Sequence, residues 1–470
     1  MEGLQASILP FSTVKSDNRD IRIDSAYFSR TALAADALVA TRNPQQVREV
    51  ASDVRSFGAY ALTNEFEYKD EGIPFLRGTN FAGNFINFAD VLRISPDAHE
   101  LLHKSEVTPG MVLLSMSGSV GSVAVALDSW HYPINSNQDI AKIIPHTICP
   151  FYLASFLSSS FGQIQVNRLP VGSIQQHIFL WMIERIQVPR FSSQLEKRIG
   201  ALAKAAYEAN EAVSHFFCKA EEALLAALGL ADWTPLELLS YTARASDVFA
   251  AGRWDAQYFR PLFEEVEQRL LATGGAVKLG TILEINSRGR QPNYDTDGLP
   301  VINSKHVRTN KVLLGDDNRR AIEAGSPVVI KKGDVLVNGT GVGTIGRTAA
   351  FLHEQKALPD NHVTVLRTSR VDPIYLAVFL NSLLGQLQIE RHIKGSSGQI
   401  ELYPNDIAKI VFWDAPDHVQ ASVRHAVLSA FKQERCAHDL LEAAKHAVEI
   451  AIEDGEATAL GFLDAVEGAA

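Results

Sequence analysis

Residues 338 to 351 read NGTGVGTIGRTAAF. Gly341, Gly343 and Gly346 have the G-x-G-x-x-G spacing of a dinucleotide fingerprint, and Gly341 to Thr348 fits a Walker A loop in which Arg347 stands where the phosphate-binding lysine belongs. Either chemistry requires the loop to open a helix, because the phosphate rests on the amides of the helix N-terminus. The stretch KIVFWD (409 to 414) even offers a Walker B-like strand ending in Asp414. The sequence contains no G-x-S-x-G elbow and no C-x-x-C pair, and Cys149, Cys218 and Cys436 lie far apart. His362 and His392 read as surface or hydrogen-bonded core histidines rather than catalysts. A DNA methyltransferase would need a glycine-rich cofactor loop and an N-P-P-Y type motif, and the nearest strings, NSNQD (135 to 139) and YPNDIA (403 to 408), do not serve.

The glycine loop must be judged inside the element that carries it, and that element is written twice. RIDSAYF (22 to 28) returns as RWDAQYF (253 to 259), and GIPFLRGTNFAGNF (72 to 85) as GLPVINSKHVRTNK (298 to 311). PGMVLLSMSGSVGSVAVAL (109 to 127) returns as KGDVLVNGTGVGTIGRTAAF (332 to 351), and PFYLASFLSSSFGQIQ (150 to 165) as PIYLAVFLNSLLGQLQ (373 to 388). Four blocks in one order are the mark of a duplicated unit. In the first copy the loop SGSVG continues into Val123, Val125 and Leu127, which alternate with small residues in a strand pattern. RIQVPRF, the first-copy counterpart of KIVFWD, lacks the acid. The context test for a phosphate loop therefore fails, and the glycines are expected to make a tight turn between two strands.

Each copy starts with a short helix, near 31 to 40 and 261 to 272, then short strands broken at Gly, Pro and Asn, then one further helix, FYLASFLSSSF or IYLAVFLNSLL. After each globule the texture changes. From Leu195, the positions Ile199, Leu202, Ala206, Ala209, Val213, Phe216, Ala220, Ala223 and Ala227 form a heptad seam. A looser seam runs through Val423, Val427, Ala430, Ala437, Leu441, Ala444, Val448 and Ala451, interrupted by Glu434. Two long alanine-rich helices of this kind can pair as a spacer, or each can serve as an ordinary core helix of its own domain. The expected class is α+β: two duplicated mixed α/β domains separated by two long coiled-coil-like helices. The boundaries are 1 to 190 for the first domain, 191 to 230 for a central long helix, and 231 to 272 for a linker and opening helix. They continue with 273 to 416 for the second domain, 417 to 455 for a second long helix, and 456 to 470 for a tail.

The chain has 470 residues, 46% hydrophobic and 21% charged, an ordinary globular composition. Its net charge of −10 argues against a broad basic face that grips nucleic acid alone. The sign is uneven: residues 273 to 416 hold 17 Lys and Arg against 14 Asp and Glu, while 417 to 470 hold 4 against 10. No leader pattern or apolar stretch of about 18 residues stands out, so a cytoplasmic protein without a membrane partner is expected.

The R-x-D-x-x-Y-F openings, the G-[IL]-P segments at 72 and 298, the glycine loops at 117 to 121 and 342 to 346, and a heptad helix closing each half together resemble the specificity subunit of type I restriction-modification systems. The resemblance covers nearly the whole chain. It implies two target-recognition domains, each reading one half of a bipartite site in double-stranded DNA, joined by two long helices packed antiparallel. It also implies that this chain is not an enzyme and binds no cofactor. Two methyltransferase subunits would carry S-adenosylmethionine, and restriction subunits, where present, would use ATP and Mg. The readings set against it are an adaptor of the same fold that reads no DNA, and a nucleotide-binding enzyme using the 341 to 346 loop.

Aligning the copies on Pro74 and Pro300 sets Arg77 against Asn303, Asn80 against His306, and Asn84 against Asn310. Arg and Lys suit guanine, and Asn suits adenine, in bidentate base contacts. The candidate DNA-binding residues are Arg77, Asn80, Asn84, Asn87, Ser117 and Ser119 in the first copy. In the second they are Arg288, Arg290, Asn303, Lys305, His306, Arg308, Asn310 and Lys311. Arg288, Arg290, Lys305, Arg308, Lys311, Arg319 and Arg320 form the densest basic cluster, suited to phosphates more than to bases. Its alternative is a solvated loop face balanced by Asp295, Asp297, Asp316 and Asp317. With so little net positive charge, the subunit alone should bind a duplex weakly.

Overall fold

Short β-branched and leucine-rich runs such as VLLS and VLVN are buried at every position, as strands covered on both faces must be. In the computed structural model these runs form the centre of two like sheets. The structure describes residues 8–16, 22–56, 66–172, 176–322, 328–395 and 400–469. The amino-terminal residues on which the absence of a leader was read begin outside that set. The chain divides into two compact units, residues 1–211 with 433–470 and residues 212–432. The division therefore falls inside both long helices rather than at their ends.

In the first unit a four-stranded antiparallel sheet has the order Ala51–Arg55, Ile140–Pro145, Val112–Ser115, Val123–Val125. The second unit repeats it as Ile285–Arg288, Val363–Arg367, Val335–Asn338, Thr348–Ala350. The register is conserved between the copies: Leu113 pairs with Lys142, and Leu336 with Val365. Alternate residues serve opposite faces. Val112, Leu114, Val123 and Val125 pack with Tyr152 and Phe156, whereas Leu113, Ala124 and Ile140 pack with Leu76, Val107 and Met111. That second face is covered by a small three-stranded layer, Leu92–Ile94, Ile73–Leu76 and Asn135–Ser136.

The opening helices are Arg30–Ala40 and Pro261–Ala272, as the periodicity predicts. The single later helix expected in each copy is instead two, Pro150–Ser158 with Ser160–Asn167 and Pro373–Asn381 with Leu383–His392. Ser159 and Ser382 make the corner, each donating its hydroxyl to the carbonyl three residues back, Phe156 and Phe379. Gly162 and Gly385 let the two helices meet, since a Cβ there would stand 2.1 Å and 2.3 Å from those same carbonyl oxygens.

The repeated R-x-D-x-x-Y motif is a clamp. Arg22 pairs with Asp24 and donates to the carbonyls of Arg168 and Leu169, and the Tyr27 ring lies between the Arg22 and Arg168 guanidiniums at 4.9 and 5.0 Å. Arg168 in turn makes two hydrogen bonds to Asp36 on the opening helix. The second unit repeats the plan with fewer bonds: Arg253 pairs with Asp255 and donates to the Ile393 carbonyl, Tyr258 lies between Arg253 and Arg391 at 4.9 Å each, and Arg391 donates to Glu267. The motif thus ties the start of each copy to its last helix through charge and aromatic faces. Arg22 and Arg253 hold the Asp24 and Asp255 carboxyls below the usual range.

The long helices are Ser193–Ala227 and Asp417–Glu453. In the first unit Leu195, Ile199, Leu202, Ala203 and Tyr207 share a core with Ala444, Ala447, Val448, Ala451 and Ile452. In the second unit Ala220 and Leu224 share one with Val419, Val423 and Val427, so the helices run antiparallel. Ala227, placed on the seam by its spacing, is exposed, and Val213, Phe216 and Ala223 are half-buried. Each helix is both half of a pair and a core element of the units it enters. Residues 456 to 470, expected as a tail, contain the helix Glu456–Ala469. Ala459 and Leu463 are fully buried, and Arg198 bridges Asp464 and Glu467 at 2.8 and 2.9 Å. An apolar stripe too short to read as a heptad seam suffices once the first unit supplies a surface for it.

Candidate nucleic-acid interface

The glycine loop joins two antiparallel strands. Val337 pairs with Thr348 across it, and Gly341, Gly343 and Gly346 have φ of +97°, +75° and +82°. TAAF continues as a strand, and Val411–Trp413 pairs antiparallel with Ala276–Lys278. The phosphate-loop context is absent. Gly346 also packs on the Leu383–His392 helix, where an added Cβ would lie 2.9 Å from Ile389 Cγ2 and Gln386 donates to the Gly346 carbonyl. Gly121 repeats this arrangement with Val166 and Gln163.

Two further segments adjoin the hairpin in each unit. Asn338, the last residue before the loop, donates its amide to the carbonyls of Ser304 and Val307, fixing the 303–311 segment beside it. In the first unit the equivalent approach is Gly78 against Ser115 and Ser117. On the other side Glu401 bridges to both Lys394 and Thr340, as His177 bridges to both Val171 and Ser117. One sheet edge in each unit thus gathers the glycine hairpin, the segment after the G-[IL]-P strand, and the segment after the last helix.

Within this edge the candidate residues separate by burial. Asn80 and His306 are each only 3% exposed. Asn80 Oδ1 accepts the Arg77 N–H at 2.9 Å, and His306 Nδ1 accepts the Asn303 N–H at 3.2 Å, the same cap made by two residue types. Burial, with Lys305 beside it, holds the His306 imidazole below its ordinary value. Asn84 donates to Ser158, and Asn310, at φ +60°, accepts from Asn381 at 2.7 Å, so both pin their segment to the helix below. Arg288 donates to the carbonyls of Gly339 and Leu402 at 3.0 and 2.8 Å and lies over the Tyr403 ring. These five side chains, expected as base or phosphate contacts, each make bonds that hold the edge together. Asn303 is half-buried, and its Oδ1 accepts the Lys305 N–H.

Solvent reaches the remainder. Arg290, Lys305 and Arg308 are exposed and Lys311 is half-exposed in the second unit; Asn87 and Ser119 are exposed, with Arg77 and Ser117 half-buried, in the first. Arg319 lies 3.5 Å from the Tyr294 ring centroid, and Arg320 donates to the Gly298 carbonyl, so this part of the basic cluster is built onto the paired strands Asn293–Ile302 and Arg320–Ile322. The spacing analysis missed Phe179 and Tyr403, which occupy the same place in the two copies and are 44% and 42% exposed. The available signal was an aromatic residue after a glycine-containing loop in both repeats. Among the described residues no cluster of three or more metal-ligating side chains occurs, and no helix is long and apolar enough to cross a membrane.

No family model and no curated protein matches the chain. Among solved structures it is similar to a type I restriction-modification S subunit from M. genitalium, at 13% identity and TM-score 0.37, covering 90% of this chain and 95% of that one. It is also similar to an HsdS subunit from Thermoanaerobacter tengcongensis, at 12% identity and TM-score 0.28, covering 87% and 96%. A chain solved in work on assembly of the type I R-M system gives 14% identity and TM-score 0.28, covering 90% and 96%.

Proposed function

We propose that this chain is the sequence-reading subunit of a type I restriction-modification complex. Each unit reads one half of a bipartite site in double-stranded DNA and directs partner methyltransferase subunits to it. The observation that carries this reading is the repeated edge: one scaffold, built twice with the same caps and pins, presents different exposed side chains. Arg77, Asn87, Ser117 and Ser119 face solvent in one copy, and Arg290, Lys305, Arg308 and Lys311 in the other. A scaffold fixed by buried polar caps and varied at its exposed positions suits the recognition of two different half-sites.

The chemistry belongs to the partners. S-adenosylmethionine is bound by the methyltransferase subunits, two per specificity chain, and ATP and Mg by a restriction subunit where one is present. Because phosphate neutralisation dominates duplex affinity, a chain of net charge −10 needs its partners' basic surface to bind DNA tightly. The acidic segment from 417 onward suits docking of a protein more than of DNA.

The test is co-expression with the neighbouring methyltransferase subunit in a methylation-free host, followed by single-molecule mapping of modified bases. A two-part motif with a fixed gap is expected. A stable complex without any discrete motif would replace this reading with the adaptor.

A further inference from the structure

Phe179 and Tyr403 occupy matching positions in the duplicated scaffold. Each follows the residue that bridges to the glycine hairpin by two positions, after His177 in one unit and Glu401 in the other. Each stands at the N-cap of a one-turn helix, Leu180–Ile183 or Pro404–Ile407. The residues between, Ile178 and Leu402, are fully buried and anchor the segment in the core. Around the rings the chemistry changes: the bridging residue is His in one copy and Glu in the other, and Val171 is matched by Lys394. The exposed ring itself is kept.

Tyr403 hydrogen-bonds Glu401, but the bonds that fix the edge around it are made by other groups. Arg288 is held by two carbonyls and lies 3.6 Å from Glu401, whatever stands at 403. Lys394 pairs with Asp406 at 2.7 Å. Arg288 and Lys394 lie 5.2 and 5.6 Å from the Tyr403 ring centroid and His177 meets the Phe179 ring at 5.2 Å, yet both aromatic residues stay 42–44% exposed beside the basic edge, at the same place in both copies, and offer water a large apolar surface.

We infer that Phe179 and Tyr403 are a matched pair of nonpolar DNA contacts, one per half-site, each ring packing on sugar and base edges beside its glycine hairpin. This rests on the reading of that edge as DNA-facing. Apolar side chains pack on sugars and opened base steps in this way. Such a contact is sequence-tolerant and releases no counterions, so it adds affinity without choosing the base. In this it differs from Arg308 or Lys305, whose loss changes the salt dependence of binding.

The experiment uses the full chain in complex with its methyltransferase partner and a duplex bearing the mapped motif. Binding is measured by anisotropy across a salt series for Phe179→Ala, Tyr403→Ala and Tyr403→Phe, with melting temperature followed in parallel. Each alanine variant is expected to weaken binding about tenfold, as for loss of a stacked or wedged ring. The slope of log affinity against log salt, the methylated motif and the melting temperature should stay unchanged, and Tyr403→Phe should bind like the parent. Unchanged binding in both alanine variants, a shallower salt slope, or a lowered melting temperature would each overturn the inference. A parent complex with no preference for any duplex would instead overturn the functional reading beneath it, and this inference with it.

Discussion

Lys142 is fully buried in the central sheet of the first unit, at the position where the second unit carries the fully buried Val365. Its Nζ donates to Ser136 Oγ at 2.7 Å, and its cross-strand neighbour is Arg55. Burial, with the Arg55 charge adding to it, brings the amine down from 10.5 to about 7. Between those two values the unfolded chain carries a proton that the folded chain does not, so stability rises with pH across that window. It is fully present above 10.5 and lost below 7. At 1.36 kcal/mol per pH unit, burying this lysine costs the fold about 5 kcal/mol at neutral pH. Lys142→Met keeps the volume but loses the Ser136 hydrogen bond, worth about 1 kcal/mol. The net gain near pH 7 is then about 3–4 kcal/mol, or roughly 6–10 °C in the melting of a unit of this size. Denaturant unfolding of the full chain and the variant at pH 7, 8.5 and 10.5 reads the difference. The gain should shrink steadily and vanish or reverse at the alkaline end. A variant less stable at pH 7, or one whose advantage is the same at all three pH values, would refute the argument.

Arg308→Ala should alter only the half-site read by the second unit and reduce the salt slope by about 0.9, checked by motif mapping and a salt titration. Asn310→Ala removes a positive-φ residue and its bond to Asn381, so it should lower stability by about 1–3 kcal/mol while the methylated motif stays the same. Gly346→Ala would force a Cβ against Ile389 at φ +82° and should lower the melting temperature of the second unit. Ending the chain at Gly455 removes the buried Leu463 and both partners of Arg198, so the first unit should lose at least about 2 kcal/mol, seen as an earlier unfolding transition.

The duplication, the two opening helices, the strand–glycine–strand hairpin and both long helices were legible in the sequence. Each is encoded in contiguous residues whose period or self-similarity survives without a partner. The corner at Ser159 and Ser382 and the helix from Glu456 were not, because a break between two packed helices and a short apolar stripe acquire meaning only against a neighbouring surface. The sheet edge that carries the candidate residues was legible in outline, since its loops lie next to repeated motifs. Its division of labour was hidden. Asn84 reaches Ser158 and Asn310 reaches Asn381, more than seventy positions along the chain, so a side chain that looks available in a loop is already engaged. The same holds for Arg288, whose partners include the carbonyl of Leu402. Residue type told which groups could meet a base. Only the tertiary structure decided which of them water, or a duplex, can reach, because burial and hydrogen bonding are set by contacts that local sequence does not contain.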